Sequence, residues 1–238
     1  MIKNLKRVSV TIVIPVRNEE DSIITNLRLI KKQVKIPHNI IIVDGCSMDQ
    51  TFSLVSTYTK SNKNVKIICT SPKKSGFKDS LDIGIDAAKT EFIVVMMGDL
   101  CDDPKTINKM YEEIQNGSDI VVASRYMSGG GKIGEPKFQG LISRAVSKTL
   151  HFLTNIPTHD VSNPFRMYRK KLLNSIKTES RGNEIPIEVI YKAHMAGAKI
   201  TEVPTIWRGR ESGKSKFRQL KVVPGYAKVC LWVLLNHK

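Results

Sequence analysis

The chain has 238 residues, of which 41% are hydrophobic and 25% are charged, as is ordinary for a folded soluble protein. Its net charge of +16, from 38 Lys and Arg against 22 Asp and Glu, favours anionic partners such as phosphorylated substrates or anionic lipid headgroups. We expect no nucleic acid partner, because only 6% of the residues are aromatic and no nucleic-acid-binding motif is present. No apolar stretch approaches the ~20 residues that a membrane-spanning helix needs.

Three runs of apolar, mostly β-branched residues in the N-terminal part predict strands that are buried on both faces. They cover residues 9–16, 39–43 and 91–97, and each runs into acidic residues or a polar turn. In an open α/β sheet, ligands collect at the carboxyl ends of the strands. We therefore expect carboxylates and turn backbone to line one crevice there, which suits a hydroxylated or metal-bound ligand and indicates an enzyme.

Strands and helices alternate up to about residue 124, which predicts an α/β fold with a Rossmann-like, mostly parallel sheet flanked by helices. Two more strands are expected at residues 65–69 and 119–124. The expected helices follow Asp21 or Ser22, Asp49, Ser75-Gly76 and Asp103.

From Arg125 onward the pattern mixes strands and helices. A flexible glycine-rich loop is predicted at residues 128–136, a helix at 139–153, and a fresh helix starting at Pro224. No linker divides the chain, so we predict one domain over residues 1–238 with two functional halves.

Two aspartates stand out because each follows an apolar strand and precedes several turn residues. Asp99 can coordinate a hard divalent cation, which prefers carboxylate and phosphate oxygens and would neutralise a departing diphosphate. Asp44 can accept a hydrogen bond from a base or a sugar. Asp49 and Asp103 precede helices, so capping a helix and facing a ligand remain open for both. Cations that suit phosphate cluster in the second half, and Gly and Ser around Lys214 suit a loop that closes over a phosphate.

Seven collinear segments carry a resemblance to a known family. The chain resembles family 2 glycosyltransferases of the GT-A fold, most closely the dolichol-phosphate mannose synthase group. The segments span almost the whole chain: TIVIPVRNEE, IIIVDGCSMDQT, SGFKDSLDIGIDAAKTEFIVVMMGDL, GSDIVVASRYMSGGG, HDVSNPFRMYRKKLL, EIPIEVIYKAHMAGAKITEVPTIW and RGRESGKSKF. Such enzymes move a hexosyl group from a nucleotide diphosphate sugar to a polyprenyl phosphate, usually with inversion at the anomeric carbon.

The resemblance implies a role for individual residues. It places four residues around the nucleoside: Pro15, Asn18, Glu19 and Asp44. It implies that Asp99 binds the Mg²⁺ or Mn²⁺ ion that coordinates the diphosphate of the donor. It brings four cations to the donor and acceptor phosphates: Arg125, Arg144, Arg210 and Lys216. The implied donor is a GDP- or UDP-sugar, with mannose or glucose as the sugar, and the implied acceptor is a polyprenyl (dolichyl) phosphate. Residues 1–124 then form the nucleotide-sugar half, 125–216 the acceptor half, and 217–238 an amphipathic C-terminal helix.

The chain departs from the family pattern at the metal motif. The usual Asp-x-Asp reads Met97-Gly98-Asp99, and the Gln usually found two residues later is Cys101. The usual Asp-Asp-Gly-Ser of the nucleoside loop reads Asp44-Gly45-Cys46-Ser47. A site with one carboxylate binds metal more weakly, unless Asp102 or Asp103 substitutes. Two alternatives follow: a nucleotide-sugar-binding scaffold with impaired catalysis, or a transferase that acts on a soluble or glycan acceptor.

The C-terminal apolar run at residues 229–235 is too short to span a membrane but suits a helix at a membrane interface, with Trp232 as an anchor. Packing on its own domain or on a second subunit is the alternative. The four cysteines are widely spaced and no signal peptide is predicted, which favours a reducing cytoplasm. We therefore expect a cytoplasmic protein that is peripheral on the cytoplasmic face of a membrane.

Overall fold

A computed structural model describes residues 9–134, 141–209 and 219–236, without the side chains of residues 142 and 219–223. The strands of this part are β1 (Val10–Val16), β2 (His38–Asp44), β3 (Val65–Cys69), β4 (Phe92–Val95), β5 (Ile120–Ser124), β6 (Gly131–Ile133), β7 (Arg166–Arg169), β8 (Ile200–Pro204) and β9 (Ile206–Arg208). The α-helices are α1 (Ile23–Gln33), α2 (Thr51–Ser61), α3 (Phe77–Ala87), α4 (Thr106–Gln115), α5 (Leu141–Thr154), α6 (Lys170–Ser175), α7 (Ile185–Met195) and α8 (Gln219–Asn236).

The main sheet has seven strands in the order β3-β2-β1-β4-β7-β5-β8. All neighbouring pairs are parallel except those of β7, which runs antiparallel between β4 and β5. The chain moves from β1 towards β2 and β3 on one side and places β4 on the other, so the strand order reverses between β1 and β4. Such a reversal opens a crevice at the carboxyl ends of the two strands. The predicted α/β class and mostly parallel sheet are confirmed.

Side chains of the central strands alternate between two apolar layers, as a sheet covered on both faces requires. Ile12 and Ile14 of β1 belong to a buried cluster with residues of α1 and α4, whereas Val13 packs in another with Ile93. Helix α3 lies close to β1 because Gly84 has no side chain: a Cβ there would lie 2.4 Å from Cγ1 of Val13. The crevice therefore stands on a close-packed base.

Two local predictions were wrong. The loop expected at residues 128–136 contains β6, which pairs in parallel with β9 as a second, two-stranded sheet. Pro224 does not start a helix but lies inside α8. A proline in a helix interior removes one backbone hydrogen bond, and α8 continues past it because Tyr226, Val229 and Val233 are buried against the rest of the fold. None of the described helices is long and apolar enough to cross a membrane.

Candidate active site

The carboxyl ends of β1, β2 and β4 meet in one crevice. Val16 pairs with Asp44 at the end of β2, and Val16 O accepts a hydrogen bond from the Gly45 N–H at 2.9 Å. The chain leaving β4 crosses β1 closely at Gly98, where a Cβ would lie 2.7 Å from Cγ1 of Val16. Gly98 O accepts a hydrogen bond from Ser22 Oγ at 3.0 Å. The middle position of the altered metal motif is therefore sterically restricted to glycine.

A hydrogen-bond chain links the predicted nucleoside residues Asn18 and Asp44 through Ser47. The Asn18 N–H donates to Ser47 Oγ at 2.8 Å, and Ser47 Oγ donates to Asp44 Oδ1 at 2.5 Å. The Ser47 N–H donates to the same oxygen at 3.0 Å, and Asn18 Oδ1 accepts from the Met48 N–H at 2.7 Å. Asp44 is only 2% exposed, so this network fixes its carboxylate at the floor of the crevice. The structure brings these two predicted residues together.

Pro15 and Glu19, the other two residues predicted around the nucleoside, lie beside this hydrogen-bond network. Pro15 is buried in β1 opposite Val43, and the β1–β4 pairing stops at Val13, so a residue without an N–H is tolerated there. The Glu19 N–H donates to Thr51 Oγ1 at 2.8 Å, and Glu19 Oε2 accepts from Ser22 Oγ at 3.2 Å. Glu19 therefore ties the start of α1 to the start of α2.

Asp49 and Asp103 interact with helix starts in the structure. Asp49 Oδ1 accepts hydrogen bonds from the Thr51 N–H at 2.9 Å and Thr51 Oγ1 at 2.5 Å. Asp103 Oδ1 accepts one from the Lys105 N–H at 3.1 Å. This geometry favours the capping interpretation of both aspartates.

Two carboxylates share the loop after β4. Asp99 is partly exposed, and its Oδ1 accepts a hydrogen bond from the Cys101 N–H at 3.2 Å. Asp102 is buried, and its Oδ2 accepts a hydrogen bond from the Met97 N–H at 3.4 Å. Burial, and then the negative charge of Asp99, raise the pKa of Asp102 to about 7. No group of three His, Cys, Asp or Glu side chains that could hold a metal ion occurs in the described part of the chain.

Replacing Asp102 by Asn is expected to stabilise the protein in a pH-dependent way. Well below pH 3.8 the carboxyl is protonated in both folded and unfolded states, so its raised pKa has no effect there. Stability falls as pH rises through about 4 to about 7, because the unfolded state loses the proton first. The shift from 3.8 to about 7 corresponds to about 4 kcal/mol, which Asp102→Asn should recover at pH 8 and only to a small extent at pH 4. Urea unfolding in EDTA at both pH values measures it; an equal difference at both would contradict it.

Arg125 is held at the end of β5 by a buried carboxylate. Its Nε donates to Asp160 Oδ2 at 2.6 Å and its Nη2 to Asp160 Oδ1 at 2.8 Å, while its backbone N–H also donates to Oδ2. Burial alone would raise the pKa of Asp160, but Arg125 outweighs it and lowers that pKa below its ordinary value. The guanidinium lies 5.2 Å from the ring centre of Tyr126, whose hydroxyl lies 2.7 Å from Ser143 Oγ. This bidentate pair gives Arg125 one orientation.

Of the three other cations that were predicted to meet the phosphates, only Arg144 lies in the described part of the chain. Arg144 is exposed on α5, next to Ser143. Arg210 and Lys216 lie outside the described residues. The Arg208 N–H donates to Cys101 O at 2.8 Å, so β9 ends against the loop that carries Asp99.

Sequence reasoning missed Asp160 and Arg166 as site-shaping residues. Arg166 is fully buried on β7 and donates to Pro186 O and Val161 O, which holds the segment that carries Asp160. The signal for Asp160 was its place in HDVSNPF, the polar segment that precedes β7, but its partner Arg125 lies 35 residues earlier.

Comparison with known proteins agrees with this architecture. The dolichol-phosphate mannosyltransferase of Pyrococcus furiosus is 30% identical over 214 residues, which are 88% of this chain and 59% of that protein. The polyprenol monophosphomannose synthase of Mycolicibacterium smegmatis is 26% identical over 230 residues, or 93% of this chain and 85% of that protein. The chain thus spans about three fifths of the length of the first relative.

Solved structures with the same fold are more distant in sequence. Glucosyl-3-phosphoglycerate synthase of Mycobacterium tuberculosis, crystallised with Mn²⁺, UDP and glucosyl-3-phosphoglycerate, superposes with a TM-score of 0.70 at 15% identity, over 97% of this chain and 80% of that one. S. aureus TarS in complex with UDP-GlcNAc gives 0.66 at 20% identity, over 97% and 68%. These likenesses confirm the GT-A fold. The family model described as glycosyl transferase family 2 matches residues 11–177, and the chain therefore belongs to that family.

Proposed function

We propose that this enzyme transfers a hexosyl group, mannose or glucose, from a GDP- or UDP-sugar to a polyprenyl phosphate with inversion at the anomeric carbon. One observation carries the proposal: the carboxyl ends of β2, β4 and β5 lie on the same edge of the sheet, where they carry the carboxylates Asp44 and Asp99 and the fixed cation Arg125. The two curated relatives named for dolichol-phosphate and polyprenol-phosphate mannose transfer support the same acceptor class. Residues up to about 124 bind the donor, and 125–216 the acceptor.

A Mg²⁺ or Mn²⁺ ion fits the carboxylates of the β4 loop only if substrate phosphates complete its coordination. Magnesium is usually bound by one or two carboxylates together with substrate phosphates, rather than by an all-protein cage. Asp99, with Asp102 buried behind it, meets that requirement, whereas Met97 and Cys101 supply soft sulfur atoms that suit neither ion. When bound, the ion neutralises charge on the diphosphate leaving group.

The protein itself contributes positioning and charge. Asp44, held by Ser47, accepts a hydrogen bond from the nucleoside. Asp160 and Ser162 engage Nε and Nη2 of Arg125, and within the described residues Nη1 is left to meet a phosphate. The acceptor phosphate is already an anionic nucleophile, so no strong general base is needed, and orientation with charge neutralisation carries the reaction.

Calorimetry tests the donor half of the proposal. GDP-mannose, UDP-glucose and the free diphosphates are titrated with and without Mn²⁺. We expect micromolar, Mn²⁺-dependent binding of one donor, and Asp44→Asn should weaken the binding of that donor and its free diphosphate alike. Ser53→Ala, at an exposed position on α2, is the matched control. Absence of binding for every donor would contradict the proposal.

A scaffold that binds nucleotide sugars without transfer is the second candidate function. The observation that favours it is Met97, which replaces the first carboxylate of the family's metal motif next to the sterically restricted Gly98. Donor binding without turnover, across polyprenyl phosphates and sugar acceptors with Mg²⁺ and Mn²⁺, would favour it over the transferase. Transfer to a soluble sugar or glycan alone would favour the alternative acceptor class.

The C-terminal ends of α5, α7 and α8 support a peripheral membrane site. His194 Nε2 lies 3.0 Å from Thr154 O, and the rings of Tyr191 and Trp232 lie 5.5 Å apart, so the three ends are adjacent. They carry exposed apolar side chains: Phe152, Leu153, Met195, Leu231, Leu234 and Leu235. Exposed lysines on α5 and α8 add positive charge beside this patch. A basic, apolar surface of this kind suits an anionic lipid surface on the cytoplasmic face.

Liposome flotation tests this surface. With vesicles containing anionic lipid, Phe152→Ser combined with Leu235→Ser should lower the floated fraction severalfold, because those side chains are 79% and 72% exposed. Phe52→Ser, an exposed phenylalanine on α2, is the control and should float like the wild type. Equal flotation of all three proteins would contradict the membrane proposal.

A further inference from the structure

Two histidine rings stack against each other near the end of α5. His151 lies on α5 and His159 in the segment between α5 and β7, with their ring centres 4.7 Å apart and their planes inclined by 28°. The side chain of His159 is 54% exposed, and His151 is half-buried. The pair therefore lies at the surface, where a dissolved ion can reach it.

The Nδ1 atom of each ring is held by an acceptor of the protein. His151 Nδ1 lies 2.7 Å from Ile156 O, and His159 Nδ1 lies 2.5 Å from Glu202 Oε1. A carbonyl and a carboxylate only accept hydrogen bonds, so both rings donate from Nδ1. In a neutral imidazole the lone pair then lies on Nε2, and among the described residues no group forms a hydrogen bond with either Nε2.

Thr158 brings the two acceptors to the same side of the ring pair. Its N–H donates at 2.8 Å to Ile156 O, the carbonyl that also accepts from His151. Its hydroxyl donates at 3.0 Å to Glu202 Oε2, the second oxygen of the carboxylate that accepts from His159. Both rings therefore direct Nδ1 towards Thr158, and their Nε2 atoms face the opposite side together.

This arrangement is the one that metal-binding histidines show. Such a histidine almost always donates its other ring N–H to a carboxylate or a backbone carbonyl, which fixes the tautomer and the orientation of the ring. Imidazole suits Zn²⁺, whereas Mg²⁺ and Mn²⁺ prefer oxygen ligands. Because a Zn–N bond is about 2.0 Å long, two imidazoles on one Zn²⁺ have ring centres about 4.5–5 Å apart. The observed separation of 4.7 Å agrees with that geometry.

The geometry points to a zinc-binding site at the Nε2 atoms of His151 and His159, separate from the carboxylates of the β4 loop. The described residues contain no group of three His, Cys, Asp or Glu side chains that could hold a metal, so water or a small anion completes the tetrahedral coordination. The site is therefore open and exchangeable, unlike a structural zinc site closed by four protein ligands. The inference does not depend on the proposed donor or acceptor.

A bound ion would join α5 to the segment that positions Arg125. His159 directly precedes Asp160, and the Asp160 N–H donates to Thr158 Oγ1 at 3.1 Å. Asp160 in turn accepts from Nε of Arg125. Zinc thus stabilises the support of Arg125 without contacting substrate, and the folded state gains stability as the Zn²⁺ concentration rises.

Calorimetric titration of the full chain with Zn²⁺ alone tests the site. All variants carry Asp99→Asn, so that the β4 loop contributes no carboxylate at that position. His151→Phe and His159→Phe keep a ring in the stack but have no nitrogen ligand. Glu202→Gln keeps an oxygen that accepts from Nδ1 and removes its charge. Cys69→Ser removes an exposed thiol outside the site and is the control.

We expect the Asp99→Asn protein and its Cys69→Ser derivative to bind a single Zn²⁺ with the same Kd, and both phenylalanine variants to lose that binding. Glu202→Gln should raise the Kd about tenfold or more, as loss of the partner of a metal-binding histidine typically does. Unchanged Zn²⁺ affinity in either phenylalanine variant would overturn the inference, and so would the absence of Zn²⁺ binding to the Asp99→Asn protein.

Thermal denaturation gives a second readout of the same site. Zn²⁺ should raise the melting temperature of the Asp99→Asn protein and leave that of its His159→Phe derivative unchanged, since only a ligand that binds the folded state stabilises it. An equal rise in both proteins would place the zinc elsewhere and overturn the inference.

Discussion

Replacing Asp99 by Asn is expected to lower the rate of sugar transfer about 10²–10³-fold, the range found when one group that stabilises transition-state charge is removed. The amide keeps the shape of the side chain and can still accept the hydrogen bond from the Cys101 N–H. What it removes is the negative charge that would hold a cation on the diphosphate. Initial rates at saturating donor and acceptor, over a range of Mn²⁺ concentrations, measure the effect.

Asp103→Asn is the matched control for Asp99, because it removes a carboxylate from the same loop. Asp103 accepts its hydrogen bond from the Lys105 N–H at the start of α4, and an amide oxygen can do the same. Its rate should therefore stay close to that of the wild type. A wild-type rate in Asp99→Asn would contradict the assigned role and make Asp102 the next residue to replace. Equal losses in both variants would assign the effect to the fold of the loop.

The parallel part of the fold could be predicted because its signals are local. The run at residues 65–69 matches β3 in full, since a mostly apolar run of five residues between turns predicts a strand. The run at 91–97 ends earlier, at Val95, because the chain leaves the sheet after the Met96 N–H donates to Val13 O. Asp44 and Asp99 could be identified for the same local reason: each follows such a run.

The inserted strand β7 could not be predicted from its sequence. Its four residues, RMYR, begin and end with arginine, and the alternation that marks a half-buried strand is too short to recognise. Arg166 is fully buried there only because carbonyl groups of Pro186 and Val161 accept its hydrogen bonds. Those partners come from later and earlier segments, so the burial of this charge depends on tertiary structure.

The support of the active site is non-local in the same way. The crevice itself follows from strand order, but Arg125 is oriented by Asp160, 35 residues away in the chain. A single sequence contains no signal for that pairing, because either residue alone is compatible with an exposed loop. The pair is also buried, with side-chain exposures of 11% for Arg125 and 0% for Asp160, so variants of both residues can separate support of the fold from contact with substrate.

Asp160→Leu is expected to destabilise the protein by about 3–5 kcal/mol, because it leaves the charge of Arg125 buried and unpaired. Asp160 has no solvent exposure, and the Arg125 side chain is 11% exposed. The stabilising effect of the pair should be present above about pH 4, the ordinary pKa of aspartate, and be lost as pH falls through the lowered pKa of Asp160. Urea unfolding at pH 7.5 and at acidic pH measures both effects.

Combining Asp160→Leu with Arg125→Met distinguishes the two roles of the pair. Removing both charges from a buried pair is often neutral or stabilising, so the double variant should recover most of the free energy of unfolding lost in Asp160→Leu. It should not recover transfer, because Nη1 of Arg125 is the donor assigned to a substrate phosphate. Recovery of both stability and transfer would mean that Arg125 serves the fold alone. A double variant as unstable as Asp160→Leu would mean that Asp160 stabilises its loop through Ser162 and Asn163, both within hydrogen-bond distance of it, and not through Arg125.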